Sequence, residues 1–187
     1  MIEGRVLSRD EIGEVWQIDR SESIEAVYHF VNGTLMLEPE HHDAKGWPPG
    51  EAERYTPILE ACHDRGGWLY GLFENQKPIG AAVLESRFIG EGGDQLQLRF
   101  LHVSSNHRGK GLGRRLFGLA ATEARRRGAK SLYISATPSE HTIDFYLRLG
   151  CRLVSEPDLE LFELEPEDIH LEYDLGPSRE PSTASQR

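Results

Sequence analysis

No stretch of this 187-residue chain approaches the roughly 20 consecutive apolar residues that a membrane-spanning helix needs. The N-terminus, MIEGRVLSRDEIGEV, carries no apolar core of the kind that marks an export signal. Cysteine is scarce. Cys62 and Cys151 are the whole supply, too distant for a local metal knuckle and too few for a disulfide scaffold, so a buried apolar thiol is the plain reading of each. These absences predict a cytoplasmic protein with no membrane partner. Positive charge is short too: 21 Lys and Arg against 31 Asp and Glu leave a formal net charge of -10. A nucleic-acid partner needs a basic footprint to displace counterions, so none is expected. The acidity favours a cationic partner through long-range steering, although solubility alone also accounts for it.

What is present suits a folded domain, with 38% hydrophobic and 28% charged residues. The length predicts one domain over residues 1–175. The stretch GPSREPSTASQR, residues 176–187, is rich in Ser, Pro and charge without an apolar period and predicts a disordered tail.

Along the chain, DEIGEVWQID spaces Ile12, Val15 and Trp16 as a first helix. Asn32-Gly33 between two apolar runs predicts a hairpin. EHHDAKGWPPGE reads as a loop, and Tyr55, Ile58, Leu59 and Cys62 as a helix that Pro57 kinks or restarts. GWLYGLFE, the turn NQKP and IGAAVLESRFI predict two antiparallel strands, and QLQLRFLHV a third. A helix follows from Gly111, with Leu112, Leu116, Leu119, Ala120 and Ala124 on one face and Gly128 as its stop. SLYISA is another strand. TPSE reads as a capping box opening a helix that ends at Gly150, and CRLV and DIHLEYDL complete the sheet. The order predicts an α/β fold: a mixed, mostly antiparallel central sheet flanked by helices.

The chemistry-bearing motif is VSSNHRGKGLGRRLF, Val103 to Phe117, with glycines at 109, 111 and 113 between basic residues. Amides at a helix N-terminus are unpaired and the helix dipole favours anions there. Glycine lets the backbone approach a phosphate closely, and Arg and Lys add charge-assisted contacts. A strand, then this loop, then a helix therefore reads as a phosphate cradle. A solvated turn with incidental basic residues is the plainer alternative. The loop is not a Walker loop, because Arg114 and Arg115 follow Gly113 in place of Lys-Ser or Lys-Thr. Nor is it a dinucleotide fingerprint, whose third glycine would fall on Arg114.

The spacing Arg108-x-x-Gly111-x-Gly113 instead resembles the pyrophosphate loop of the GNAT superfamily of acyl-CoA-dependent N-acyltransferases. SEHTIDFYLRLGCRLV resembles the same family's downstream segment, and together the likeness spans Trp68 to Asp174. It implies a GNAT-like fold, acetyl-CoA as co-substrate, and transfer of acetyl to a small-molecule or peptide amine acceptor by direct attack in a ternary complex. It implies that backbone groups of Leu101, His102 and Val103 pair with the pantetheine arm. Arg108, Gly109, Lys110, Gly111, Leu112, Gly113 and Arg114 would hold the pyrophosphate. Tyr146 matches the tyrosine that protonates the departing thiolate, and the family's common Asn falls on Ser139. The strand position where some members carry a catalytic Glu is Gln97, which cannot act as a base.

An alkylammonium with a pKa of about 10.4 is free amine only to the order of one part in a thousand at pH 7.4, a deficit of roughly 4 kcal/mol. Glu85, near the end of a strand expected beside the cofactor strand, is the first candidate to supply it, and His102 the second. A solvated strand-end carboxylate and a core histidine are the respective alternatives. EHHD, Glu40 to Asp43, has adjacent histidines without a second partner at ligand spacing, so no metal is expected. FELEPEDIH, Phe162 to His170, reads as an acidic loop leading into the last strand that could receive a cationic amine, with a plain solvated connection as the simpler alternative. Two other functions compete with catalysis: a non-catalytic acyl-CoA-binding module and a nucleotide-binding regulator. A homodimer is left open.

Overall fold

The computed structural model describes residues 1–176, so the tail expected over 176–187 lies, apart from Gly176, outside the described residues. Nine strands and four α-helices follow one another as β1 (Ile2–Val6), β2 (Glu22–Val31), β3 (Thr34–Ala44), α1 (Glu51–Asp64), β4 (Trp68–Glu74), β5 (Lys77–Ile89), β6 (Gln95–Val103), α2 (Leu112–Arg126), β7 (Ser131–Ala136), α3 (Glu140–Leu149), β8 (Arg152–Leu153), α4 (Leu159–Leu164) and β9 (Ile169–Asp174). Seven strands form one sheet in the order β1-β4-β5-β6-β7-β9-β8, and β2 and β3 form a separate ribbon. Every pairing is antiparallel except β6 with β7. The mixed, mostly antiparallel sheet flanked by helices is the fold that the sequence predicts.

The central strands are apolar on consecutive residues because both faces of the sheet are covered. Ala82 and Leu84 of β5 belong to one buried cluster, with Leu116, Phe117 and Ala120 of α2 and Ile143 of α3. Ala81 and Val83 point the other way, into a second cluster with Ile12, Val15, Leu59 and Cys62. Leu116 is fully buried in the first, and truncating such a leucine to alanine costs about 2–5 kcal/mol.

Several local expectations give way to the structure. The segment Arg9–Gln17 is helical but winds as a 3-10 helix, closed by reciprocal Ser8 and Glu11 bonds. EHHD is not a loop: β3 runs through it to Ala44, paired along its length with β2. Both faces there are solvated, which removes the apolar alternation that marks a strand. α1 passes through Pro57 unbroken; Pro57 is on the exposed side, where the carbonyl it leaves unpaired meets water. α3 starts at Glu140, the last residue of TPSE, and not at Pro138, because the Pro138 carbonyl accepts the Tyr28 amide and Ser139 becomes the cap. Part of the acidic loop is the short helix α4. The Asn32-Gly33 turn is as expected, both residues at positive φ (50° and 80°) as a type I′ hairpin requires.

Candidate active site

β6 and β7 pair only from Gln95–Gln97 to Ser131–Tyr133. Beyond that, β6 stays bonded to β5 as far as Val103, and β7 to β9 as far as Ala136. β6 also bulges: Val83 faces Phe100 while Leu84 faces Leu98, leaving Arg99 as the extra residue. The two strands part, and a cavity of about 640 Å³ fills the opening. Its walls are Leu98 to Val103, the loop around Arg108–Arg114, Ser135 to Thr137, and the inner face of α3. Leu101, His102 and Val103 thus lie on a strand edge with no strand beside it, the position expected of a backbone partner for an extended ligand.

At the mouth, Gly109 and Gly111 adopt φ of 74° and 79°. A Cβ on either would meet nothing within 4 Å. The first helical hydrogen bond of α2 runs from the Arg115 amide to the Gly111 carbonyl. Among the described residues, no backbone carbonyl accepts an amide from Gly109 to Arg114. These are the orphan donors of a helix start, at the positive end of the α2 dipole. An anion as large as a diphosphate fits this arrangement: open space over the glycines, unpaired amides and the adjacent Arg114 in the cavity wall.

The basic residues of the loop divide into two groups. Arg108 lines the cavity, but its guanidinium donates to the carbonyls of Val103 (3.1 Å), Ser21 (3.1 Å) and Arg20 (3.3 Å). It clamps the loop to the strand and to the start of the ribbon, and is not a free phosphate ligand. Lys110 turns back to the Asn106 carbonyl at 2.9 Å and does not line the cavity. Leu112 is buried under the loop, and Gly113 packs so close to Phe145 that a Cβ would stand 3.2 Å from its ring. The buried Ser139 lines the cavity and donates to Thr142 at 2.9 Å.

Tyr146 reaches the cavity from α3, between Phe145 and Phe117. No protein group among the described residues holds its hydroxyl, and burial drives its pKa far above that of a free phenol. The group stays protonated and available as a donor.

Glu85 is a correction. It is 4% exposed and absent from the cavity wall, with its carboxylate accepting from Arg99 Nε at 2.8 Å and Arg65 at 3.2 Å. Burial raises its pKa, but the two guanidiniums outweigh that and hold it below the ordinary carboxylate value. A carboxylate so committed is a structural ion pair, not a base. His102 does line the cavity, edge-on to Trp47 at 4.8 Å and Phe100 at 4.5 Å. Burial, aided by Arg20 and Arg108, lowers its pKa to about 3, so it is neutral and a weak proton acceptor.

The sequence marks the acidic segment Phe162–His170 but does not single out Asp168 within it. Its Oδ2 accepts from Ser135 Oγ at 2.8 Å, and burial raises its pKa to about 6 against the opposing Ser135 bond. It sits in a second cavity of about 570 Å³, between the β2–β3 ribbon and the α4–β9 segment.

The family described as acetyltransferase (GNAT) has a model that matches residues 34–151, which starts within the N-terminal third that the earlier resemblance left out. No curated protein sequence matches the chain. Among solved structures, it is similar to a nourseothricin acetyltransferase (21% identity, 93% of this chain and 98% of that one, TM-score 0.70). It is also similar to a protein described as a streptothricin acetyltransferase from Bacillus anthracis, in complex with acetyl coenzyme A (15%, 93% and 99%, 0.64). A third is the PaiA N-acetyltransferase from Thermoplasma acidophilum in complex with coenzyme A (14%, 93% and 99%, 0.60).

Proposed function

The chain belongs to the acetyltransferase (GNAT) family, and from that premise we propose that it transfers acetyl from acetyl-CoA to a primary amine by direct attack within a ternary complex. The observation that carries this reading is the row of unpaired amides from Gly109 to Arg114 at the mouth of a cleft where two parallel strands part. The Gly109–Arg114 loop takes the diphosphate, with Arg108 bracing it from behind. The open edge of β6 at Leu101–Val103 bonds the pantetheine arm as a missing strand would. Acetyl-CoA supplies the activated acetyl thioester. Amides of the same β6 edge are the donors in reach of charge growing on the acyl oxygen, and the protonated Tyr146 gives a proton to the departing sulfur.

A screen of amines with acetyl-CoA, followed by release of free thiol, tests the proposal. Turnover with at least one primary amine is the expected result. Tight binding of acetyl-CoA with no thiol release on any amine would replace the enzyme with a binding module.

A further inference from the structure

The second cavity has a composition unlike the first. Its wall carries the carboxylates Glu40, Glu167 and Asp168 and no Lys or Arg. Between them lie Phe30, Leu153, Val154 and Phe162, with Tyr28, His29 and His170 as the other polar side chains of the wall. One buried polar atom in that wall lacks a partner. The Tyr133 hydroxyl accepts from the Asp158 amide at 2.9 Å and lies 2.7 Å from His170 Nδ1. Donation of its proton to Nδ1 leaves hydrogen on His170 Nε2, which is buried with no acceptor although His170 is only 6% exposed.

The two cavities meet at one hydrogen bond. Ser135 lines the coenzyme cleft, Asp168 lines the anionic chamber, and the Ser135 hydroxyl donates to the Asp168 carboxylate at 2.8 Å. We propose that this chamber receives the ammonium end of an acceptor with an apolar body, and that Asp168 takes its proton. This rests on the acetyl-transfer reading and names the acceptor class and proton acceptor for the same site.

The step balances as follows. The bound R–NH₃⁺ loses one proton to the Asp168 carboxylate. The nitrogen lone pair then forms the C–N bond to the thioester carbon, and the C–S bond breaks with its electron pair leaving on sulfur. The surplus proton on nitrogen reaches the sulfur by way of Tyr146, which gives one proton and regains one. Asp168 releases its proton to solvent, so each amide formed yields one thiol and one H⁺.

The charges around Asp168 come from several elements. Glu165 and Glu167 precede it and disfavour its ionisation, whereas Ser135 on β7 and Arg20 before the ribbon favour it. Tyr146 on α3 is near enough to feel its charge. Tyr28 and His29 on β2, Glu40 on β3 and His170 on β9 share its chamber.

The test compares wild type with Asp168→Asn and Ser135→Ala, using 2-phenylethylamine, hexylamine and glucosamine as acceptor probes from pH 5 to 9. Carboxyl carbon-13 signals are titrated separately without substrate. The wild type is expected to lose kcat/KM as pH falls through about 6 and to be flat above that. A free-amine substrate with no enzymic base would instead give a tenfold rise per pH unit. Asp168→Asn loses about 100-fold or more and the acid limb, with acetyl-CoA affinity unchanged. Ser135→Ala moves the limb to higher pH, because the carboxylate loses a donor. Both apolar amines outperform glucosamine, and one aspartate carboxyl titrates near pH 6, absent in Asp168→Asn. The proposal is overturned if Asp168→Asn keeps near-wild-type turnover with the limb in place, or if glucosamine is preferred. It is equally overturned if a protein that binds acetyl-CoA uses neither apolar amine, or if no aspartate carboxyl titrates above pH 5. Failure to bind acetyl-CoA sinks the acetyl-transfer reading instead, and the carboxyl titration tells the two failures apart.

Discussion

Arg99 Nε donates to Glu85 Oε1 across 2.8 Å, with the glutamate side chain 5% and the arginine side chain 15% exposed. Arg99 is the bulged residue of β6 and lines the cavity where β6 and β7 part. The ion pair therefore fixes the strand at the point where it leaves β7. Removing one partner of a buried pair strands the other's charge, at roughly 3 kcal/mol. Glu85→Gln is expected to lower the melting temperature at pH 7 without altering the shape of the pH–rate profile. Because the folded-state pKa of Glu85 is depressed, its contribution is present above the unfolded carboxylate value of about 4.3 and fades as pH drops below it. Melts of wild type and variant should converge as pH falls through the depressed folded-state value of Glu85.

Tyr146→Phe removes the hydroxyl and keeps the ring against Phe145 and Phe117. Single-turnover acetyl transfer is expected to slow by about 100-fold, with acetyl-CoA affinity unchanged. A wild-type rate in that assay removes Tyr146 from the chemistry.

Gly111 faces open cavity, so its replacement clashes with no protein atom. Only the left-handed backbone resists, at about 1–2 kcal/mol. Gly111→Ala is expected to fold with a melting point a few degrees lower, and to bind coenzyme A about tenfold more weakly. Calorimetry beside a thermal melt separates the two effects.

His102 sits neutral against Trp47 and Phe100. Its folded pKa of about 3 lies below the free value, so the unfolded chain binds more protons between pH 6.5 and 3, and stability falls across that window. His102→Phe, which keeps the aromatic packing, is expected to flatten the pH dependence of chemical denaturation there.

Much of this fold can be read from residue pattern alone, and the exceptions have physical causes. Asn32-Gly33 encodes its hairpin because few other pairs tolerate two positive φ angles in succession. The Leu112–Arg126 helix is plain from one apolar stripe and a glycine at each end. β1 goes unseen because it is an edge strand with a half-exposed sequence, Ile-Glu-Gly-Arg-Val. The Gly109–Arg114 loop is legible because its arrangement is one of backbone, written as glycine spacing. Side-chain roles are not legible in the same way. Arg108 and Arg114 look equivalent in sequence, and only the fold turns Arg108 onto three carbonyls. Asp168 is one acidic residue among several in FELEPEDIH until Ser135, 33 residues earlier, is brought to it.

The central claim is that the amides from Gly109 to Arg114 hold a diphosphate. Titration calorimetry of the wild-type protein with pantetheine 4′-diphosphate and with pantetheine, which differ only in that group, measures this most directly. The diphosphate should bind about 100-fold or more tightly than pantetheine, since hydrogen bonds to a charged partner contribute about 1.5–3 kcal/mol each. Equal affinity for the two would contradict the account.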